Sequence, residues 1–196
     1  MLEQRIQQQF FESADLQYQL AEALARPLAA AAQALFGCLT AGGKVLIAGV
    51  GAAAPLAALC GAALVGRFER QRPPLAAVVL PADGLAAAPL PAQGESMLVR
   101  NVRALGQVGD VLLLLDTDGL DAALRPVVEA AHLGELSVVA FGGGASQGLR
   151  AALGEADVLV PIAHPARARI AELHLLALHC LCDAIDLQLM GEQEPT

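Results

Sequence analysis

The sequence contains little positive charge and few aromatic side chains. Its 196 residues include 12 basic and 20 acidic side chains, which give a formal net charge of −8, and aromatic residues make up only 3% with no tryptophan. A nucleic-acid interface needs a basic surface and, for single strands, aromatic rings on which bases stack. We therefore expect no direct contact with nucleic acid.

Disulfide frameworks and convincing membrane spans are also missing. The four cysteines form no Cys-x-x-Cys pair, which indicates reduced thiols in a cytoplasmic protein. The polar start of the chain does not resemble a signal peptide. Residues 45–66 carry no charge, but eight alanines, four glycines and Pro55 make this stretch too weakly hydrophobic for a membrane helix. We expect no membrane association.

Apolar residues are abundant, at 56% of the chain against 16% charged residues. The core of a single chain of this length buries only part of this apolar surface, and exposed apolar patches usually mark interfaces. The composition therefore predicts an oligomer.

The length fits one domain over residues 1–196, with a helical arm over 1–41 for oligomerisation and an α/β core over 42–196.

The arm is predicted from helical periodicity. Apolar side chains recur at spacings of three and four residues from Ile6 to Leu35, as on one face of an amphipathic helix. Pro27 has no amide hydrogen to donate, so we expect it to divide the arm into two helices. Gly42 and Gly43 are expected to end the second helix.

A strand, a glycine turn and a helix follow the arm. Residues 45–47 are an apolar strand, the turn is Gly49-Val50-Gly51, and an alanine-rich run suits a helix. In a βαβ unit, such a turn and the first helical amides bind anions. Here the turn offers only alkyl side chains, including Val50 and Ala53. The predicted ligand site therefore lacks the usual polar groups.

The remainder of the chain alternates strands and helices. Further apolar strands are predicted over 75–80, 111–115, 137–141 and 157–161; helices are predicted over 95–105, 121–132 and 167–190, with an irregular mobile loop over 81–94. Five apolar strands separated by helices predict a parallel sheet covered on both faces. Its ligand loops would follow the carboxyl ends of the strands, at 49–53, 80–84, 116–121 and 142–146.

Four stretches carry a resemblance to a known family. They are Gly49-x-Gly51, residues 66–74 (Gly-Arg-Phe-Glu-Arg-Gln-Arg-Pro-Pro), residues 102–113 and residues 168–186. On these, the chain resembles the sugar isomerase (SIS) domain family, which includes phosphoheptose isomerases and the bacterial DnaA initiator-associating protein. The resemblance implies a flavodoxin-like three-layer sandwich, a homotetramer and a phosphosugar site at subunit boundaries.

The catalytic positions implied by the resemblance carry unsuitable side chains. Where the isomerases have a Gln-His pair and a catalytic Glu, this chain has Ala58, Leu59 and Ala63, and a metal- or substrate-binding Gln is replaced by Ala171. Only His179 is retained, which we interpret as a relic. His174 and His179 lie about 140° apart around a helix and cannot easily share one ion. We therefore predict no metal site and no cofactor.

The predicted phosphate loop is acidic. It reads Asp116-Thr117-Asp118-Gly119-Leu-Asp121. Two like charges about 4 Å apart repel by roughly 4 kcal/mol at an effective dielectric of about 20, so the three carboxylates should exclude phosphate unless a cation intervenes. Asp118 as an N-cap, with Asp121 three residues on, would satisfy the loop amides itself. We prefer this interpretation to a cation site.

These features favour a non-catalytic scaffold or adaptor. By resemblance, its first candidate partner is the replication initiator DnaA, contacted through Leu189 and Met190 just beyond the last motif. Two alternatives stay open. One is a phosphoheptose isomerase-like protein that binds or isomerises a sugar phosphate. The other is a structural paralogue that assembles with an intact SIS subunit.

Overall fold

The computed structural model describes most of the chain. It covers residues 1–81, 96–119, 121–144 and 146–191, without the side chain of Asp121. The mobile loop predicted over 81–94 lies outside the described residues from position 82 on. The tail after Gly191 also lies outside them.

The core is a five-stranded parallel sheet. Its strands are β1 (Val45–Val50), β2 (Ala77–Val79), β3 (Val111–Asp116), β4 (Ser137–Gly143) and β5 (Val158–Ile162). They are ordered β2-β1-β3-β4-β5, and every neighbouring pair is parallel. The predicted α/β class and strand number are confirmed.

Six α-helices accompany the sheet in the described residues. They are α1 (Leu2–Thr40), α2 (Ala54–Val65), α3 (Met97–Leu105), α4 (Asp121–Leu133), α5 (Gln147–Ala152) and α6 (Arg167–Met190). Helices α1, α2 and α6 cover one face of the sheet, and α3, α4 and α5 cover the other. Alternate residues of each strand face opposite helical layers, as Leu113 and Leu112 do in β3. The result is the predicted three-layer sandwich.

The predicted break at Pro27 is wrong, because α1 runs without interruption through it. A proline inside a helix removes one hydrogen bond and crowds the preceding turn. Buried side chains flank it on both sides, with Leu24 before it and Ala31 and Leu35 after it. This packing against the rest of the fold outweighs the lost hydrogen bond.

Three smaller boundaries also differ from the predictions. Strand β2 is shorter than 75–80, and Val78 and Val79 are 38% and 39% exposed, as suits an edge strand. Strand β4 continues through Gly142 and Gly143, which were predicted as loop, because both pair with β5. Helix α5 was not predicted, since its six residues are too few to show a clear periodicity.

Helix α1 is the one described helix that is long and apolar enough to cross a membrane, judged by length and composition alone. In this fold it packs along α6 and contributes Ala32 and Leu35 to the core. Residues 45–66 form a strand followed by a helix, as expected, and not one continuous helix.

Candidate functional site

The strand order changes direction at the carboxyl edge of the sheet, which is where folds of this class form a ligand crevice. Strand β1 has β2 on one side and β3 on the other, so the loops after β1 and β3 diverge at this point. The register pairs Val50 with Asp116, which brings Gly51 opposite the 117–119 turn. Ligands of open α/β sheets bind at such a switch point. The predicted loops 49–53 and 116–121 therefore meet at one place.

Left-handed backbone occurs in each of three neighbouring loops. Gly51, Gly119 and Gly144 have φ values of 56°, 72° and 62°, and Ser146 has 45°. The Ser146 hydroxyl donates a 2.7 Å hydrogen bond to the carbonyl of Gly143. Glycine takes a positive φ without strain, whereas Ser146 holds one although a side chain normally disfavours it.

Asp116 satisfies the amides of the turn that follows β3. Its Oδ1 accepts hydrogen bonds from the amides of Asp118 at 2.9 Å and Gly119 at 3.1 Å, and the side chain is fully buried. The amides of Asp118 and Gly119 are thus taken by Asp116, and the predicted capping of the start of α4 by Asp118 and Asp121 stays a prediction. An aspartate at the end of a strand readily bonds the backbone two and three residues on. Asp121 is the first residue of α4, and its side chain lies outside the described residues.

Asp118 forms an ion pair with Arg167 at the start of α6. The distance from Arg167 Nε to Asp118 Oδ1 is 3.1 Å, with side-chain exposures of 74% and 11%. The other oxygen of Asp118 reaches the loop after β1, since a Cβ on Gly51 would lie 2.6 Å from Oδ2. A cation thus stands at the predicted anion site. Sequence reasoning missed it because Arg167 belongs to no motif near the loop.

The same turn contains an unpaired buried hydroxyl. Thr117 is 1% exposed, and its Oγ1 has no hydrogen-bond partner among the described residues. Buried polar groups are nearly always paired with protein, water or ligand. The turn therefore keeps the Thr117 hydroxyl unsatisfied, and Asp118 Oδ1, which faces Arg167, also accepts no hydrogen bond among the described residues.

A second pocket lies between α2 and α6 and has a volume of about 270 Å³. It brings together Leu59, Ala63 and His179, three positions that the family resemblance assigned to catalysis, while Ala58 and Ala171 do not line it. Arg67 also borders it. The remaining lining is mainly apolar: Ala62, Phe68, Leu175, Leu178 and the thiols of Cys60 and Cys182. Imidazole and guanidinium groups thus stand at an otherwise apolar wall.

His179 is exposed and stacks against Phe68, with 5.4 Å between ring centroids. Because His179 lines the pocket, its imidazole can reach a small molecule there.

Cys60 lines the same pocket. Its hydrogen bond to Cys182 and its burial raise the pKa of Cys60 well above its usual range. The Cys60 thiol therefore stays protonated near neutral pH.

His174 lies apart from this pocket. It is fully buried in α6, with its ring edge-on to Phe141 at 5.7 Å. Burial lowers the pKa of His174 to about 4, although the backbone of Gly142 acts in the opposite direction. Its charge is therefore absent at neutral pH.

The described residues do not fit a metal ion. Nowhere in the part of the chain that the structure describes do three or more His, Cys, Asp or Glu side chains come together as a ligand set. The alkyl side chains of Leu59, Ala63 and Ala171 supply no donor atom. We derive no chemical step through a metal.

The predicted partner-binding pair lies at the end of α6. Leu189 and Met190 are 36% and 38% exposed. This exposure leaves them accessible in a single chain, and their role in binding a partner stays a prediction.

Full-length relatives are named as enzymes. The chain is 48% identical over 198 residues to a phosphoheptose isomerase of Methylibium petroleiphilum, covering 100% of this chain and 99% of that protein. It is 40% identical over 192 residues to a phosphoheptose isomerase of Aromatoleum aromaticum, with 97% of each covered. Similarity of this extent spans the arm, the sheet and α6.

Solved structures agree with this similarity. Phosphoheptose isomerase GmhA from Neisseria gonorrhoeae superposes with a TM-score of 0.82 at 34% identity, over 95% of this chain and 99% of that chain. A phosphoheptose isomerase from Francisella tularensis gives 0.83 at 34% identity, over 95% and 98%. The arrangement of elements is thus the same as in these isomerases.

These relatives overturn the interpretation of the chain as a non-catalytic adaptor. They also overturn the description of the chain as a DnaA-associating pseudoenzyme. The electrostatic part of that interpretation counted the carboxylates of the loop alone. Asp116 is engaged by two amides, and Asp118 faces the guanidinium of Arg167.

The family of this chain is identified by a match to a known domain over most of its length. The SIS domain matches residues 9–143, from the arm through the end of β4. This range includes β1, α2 and β3, and with them both loops of the crevice. The chain therefore belongs to the SIS domain family.

Proposed function

We propose that the chain is a sugar-phosphate isomerase of the phosphoheptose type, which interconverts a ketose phosphate and an aldose phosphate. The observation that carries the proposal is 48% identity over the full length to a protein named phosphoheptose isomerase. The pocket between α2 and α6 supports it, because it brings the imidazole of His179 and the guanidinium of Arg67 to one wall.

The reaction removes a proton from the carbon next to a carbonyl and returns it to the neighbouring carbon. General acid–base catalysis of this kind is most often performed by histidine, which changes charge near neutral pH. In the α2–α6 pocket, His179 is the side chain that we assign to this proton transfer. We assign Arg67 to the negative oxygen that develops, since guanidinium remains charged and stabilises oxyanions.

The wall of the pocket formed by Leu59 and Ala63 supplies no hydrogen-bonding or charged group, and in a single chain Leu59 is 55% exposed. The chemistry of the proton transfer is therefore assigned to His179 and Arg67 alone. As parts of the same proposal, we expect the enzyme to act in the cytoplasm and as a homotetramer.

The test is turnover of sedoheptulose 7-phosphate by the purified protein in deuterated buffer. We expect the aldose phosphate to form with deuterium at the exchanged carbon, in fractions that follow the protein through purification. His179→Gln should reduce the rate by roughly 100-fold or more, the usual contribution of a general base. His132→Gln is the matched control, since His132 lies on α4 and pairs with Asp157. A folded wild-type protein without turnover would refute the proposal.

A further inference from the structure

Two thiols meet in the pocket that contains His179. Cys60 lies on α2 and Cys182 lies on α6, and both line this pocket. A hydrogen bond joins the two side chains, and both cysteines are free thiols in the structure. The proposed isomerase mechanism uses neither of them. Two hydrogen-bonded thiols on facing helices are the reduced form of a disulfide, so the pair can carry redox chemistry that isomerisation does not use.

Only a small reagent can reach these two sulfurs. Cys60 is 2% exposed and Cys182 is 1% exposed, so neither thiol stands on the outer surface. The space beside them is the pocket itself, with a volume of about 270 Å³. A molecule of the size of hydrogen peroxide fits there, whereas a peptide disulfide such as oxidised glutathione is too large. The pocket therefore selects a small oxidant.

The surroundings of the pair give its two sulfurs different roles. The hydrogen bond from Cys60 lowers the pKa of Cys182, against the effect of burial. The charge of Arg72 acts in the same direction as this hydrogen bond, and the charge of Asp186 opposes it. The thiolate is the reactive form of cysteine. Cys182 is therefore the sulfur that attacks an oxidant first, and Cys60 keeps its proton for the second step.

We propose that Cys60 and Cys182 form a peroxide-sensitive dithiol, and that their disulfide narrows the pocket and slows turnover. Cys182 attacks one oxygen of hydrogen peroxide, the O–O bond breaks, the other oxygen leaves as water with the Cys182 proton, and Cys182 carries a sulfenic acid. Cys60 then attacks the sulfur of Cys182, the S–S bond forms, the S–O bond breaks, and the oxygen leaves as a second water with the Cys60 proton. Two thiols lose two electrons and two protons, and one peroxide becomes two waters.

The disulfide draws α2 and α6 together beside His179. Its sulfurs lie about 2.05 Å apart, which is closer than two hydrogen-bonded sulfurs. His179 lies on α6 one turn before Cys182, so it moves with the bond. The ion pair of Arg72 and Asp186 fixes the same helix one turn beyond Cys182, so the helix cannot swing away there to relieve the change. The oxidised pocket is therefore narrower at its imidazole.

A disulfide of this kind suits a cytoplasmic protein, where such bonds are mostly transient and redox-sensing. Thiol exchange returns it to the two thiols when the oxidant is gone. The bond itself goes beyond the proposed function, and its effect on turnover rests on that function.

The experiment treats the full chain with hydrogen peroxide in low molar excess, blocks the remaining thiols with N-ethylmaleimide in denaturant, and analyses a non-reducing tryptic digest by mass spectrometry. Trypsin separates the two cysteines, with Cys60 on residues 45–67 and Cys182 on residues 170–196. We expect these peptides to be joined by one disulfide that dithiothreitol cleaves. Turnover of the same sample should fall several-fold and recover with dithiothreitol.

Cys180→Ser is the matched control, because Cys180 is an exposed cysteine on the same tryptic peptide as Cys182. This variant should keep both the linked peptides and the loss of turnover in peroxide. Cys60→Ala should give no link, and dimedone should label its sulfenic acid at Cys182. The wild-type digest decides the linkage even if Cys60→Ala does not fold.

Two results would overturn the inference: a treated wild type in which all four thiols are blocked by N-ethylmaleimide, or one whose only link runs through Cys180. A link between Cys60 and Cys182 that leaves turnover unchanged would overturn the narrowing of the pocket. If the link forms in a protein that turns over no sugar phosphate, the proposed function fails and the dithiol stands. If turnover is present and no link forms, the inference alone fails.

Discussion

Arg72 and Asp186 form an ion pair with 2.5 Å between Nε and Oδ1, and each side chain is only 1% exposed. The same guanidinium donates to the carbonyls of Ala63 at 2.7 Å and Leu64 at 2.8 Å, in the last turn of α2. Arg72 therefore caps α2 and fixes it to α6. These two helices form the walls of the pocket that contains His179.

Loss of one partner of this pair should strongly destabilise the fold. Asp186→Ala leaves a buried guanidinium without its counter-charge, and breaking a buried pair in this way costs about 3–5 kcal/mol. Urea denaturation should show a lower midpoint with an unchanged slope. As a control, Glu129→Ala removes the partner of Arg125 in an exposed pair and should change stability by less than about 1 kcal/mol. Equal effects of the two substitutions would contradict the importance of burial.

The role of Asp116 in the crevice gives a second prediction. Asp116→Ala removes the acceptor of two turn amides, and a buried group left without a partner costs about 1–3 kcal/mol. Asp116→Asn keeps an oxygen at the same position and should cost less. Denaturation of both variants measures the difference. If Asn destabilises as much as Ala, the charge of Asp116 matters more than the hydrogen bonds of its Oδ1.

Local sequence patterns were enough to predict the fold, but they predicted only part of the candidate site. Runs such as residues 111–115 have no polar side chain and can be buried only as inner strands, which is why the parallel sheet was predictable. The crevice loops were also located, because glycines follow the strand ends. The Asp118–Arg167 pair was not, since the two residues come from separate elements with no shared motif. The charge argument for the loop therefore did not include Arg167, which comes from the start of α6.

Buried His174 should make the protein sensitive to acid. Burial lowers its pKa in the folded state to about 4, whereas an unfolded histidine has a pKa of about 6.5. As the pH falls below about 6.5, the unfolded chain binds a proton that the folded chain does not, so stability is present above this pH and is lost toward pH 4. The loss should reach about 2 kcal/mol by pH 5.

His174→Phe should abolish most of this pH dependence. The measurement is the free energy of unfolding from urea titrations at pH 7.5, 6, 5 and 4.5. His179→Asn serves as the control, because His179 is exposed and its substitution should leave the acid sensitivity in place. A wild-type protein whose stability is the same at pH 7.5 and pH 5 would show that His174 is not held neutral by burial.

The last prediction concerns assembly. The first half of α1 exposes large apolar side chains, with Phe10 at 74%, Phe11 at 63% and Tyr18 at 87%. A single chain that leaves such rings in water loses the free energy of burying them, which is about 25 cal/mol per Å² of apolar surface. Light scattering at micromolar concentration should therefore give about four times the chain mass of 20.1 kDa.

Phe10→Asp combined with Phe11→Asp should lower this mass, because burying two carboxylates in an apolar interface is costly. Leu133→Asp, at a residue 79% exposed on α4, should leave the mass unchanged. A wild-type monomer, or a double variant that still assembles fully, would show that the arm is not the interface.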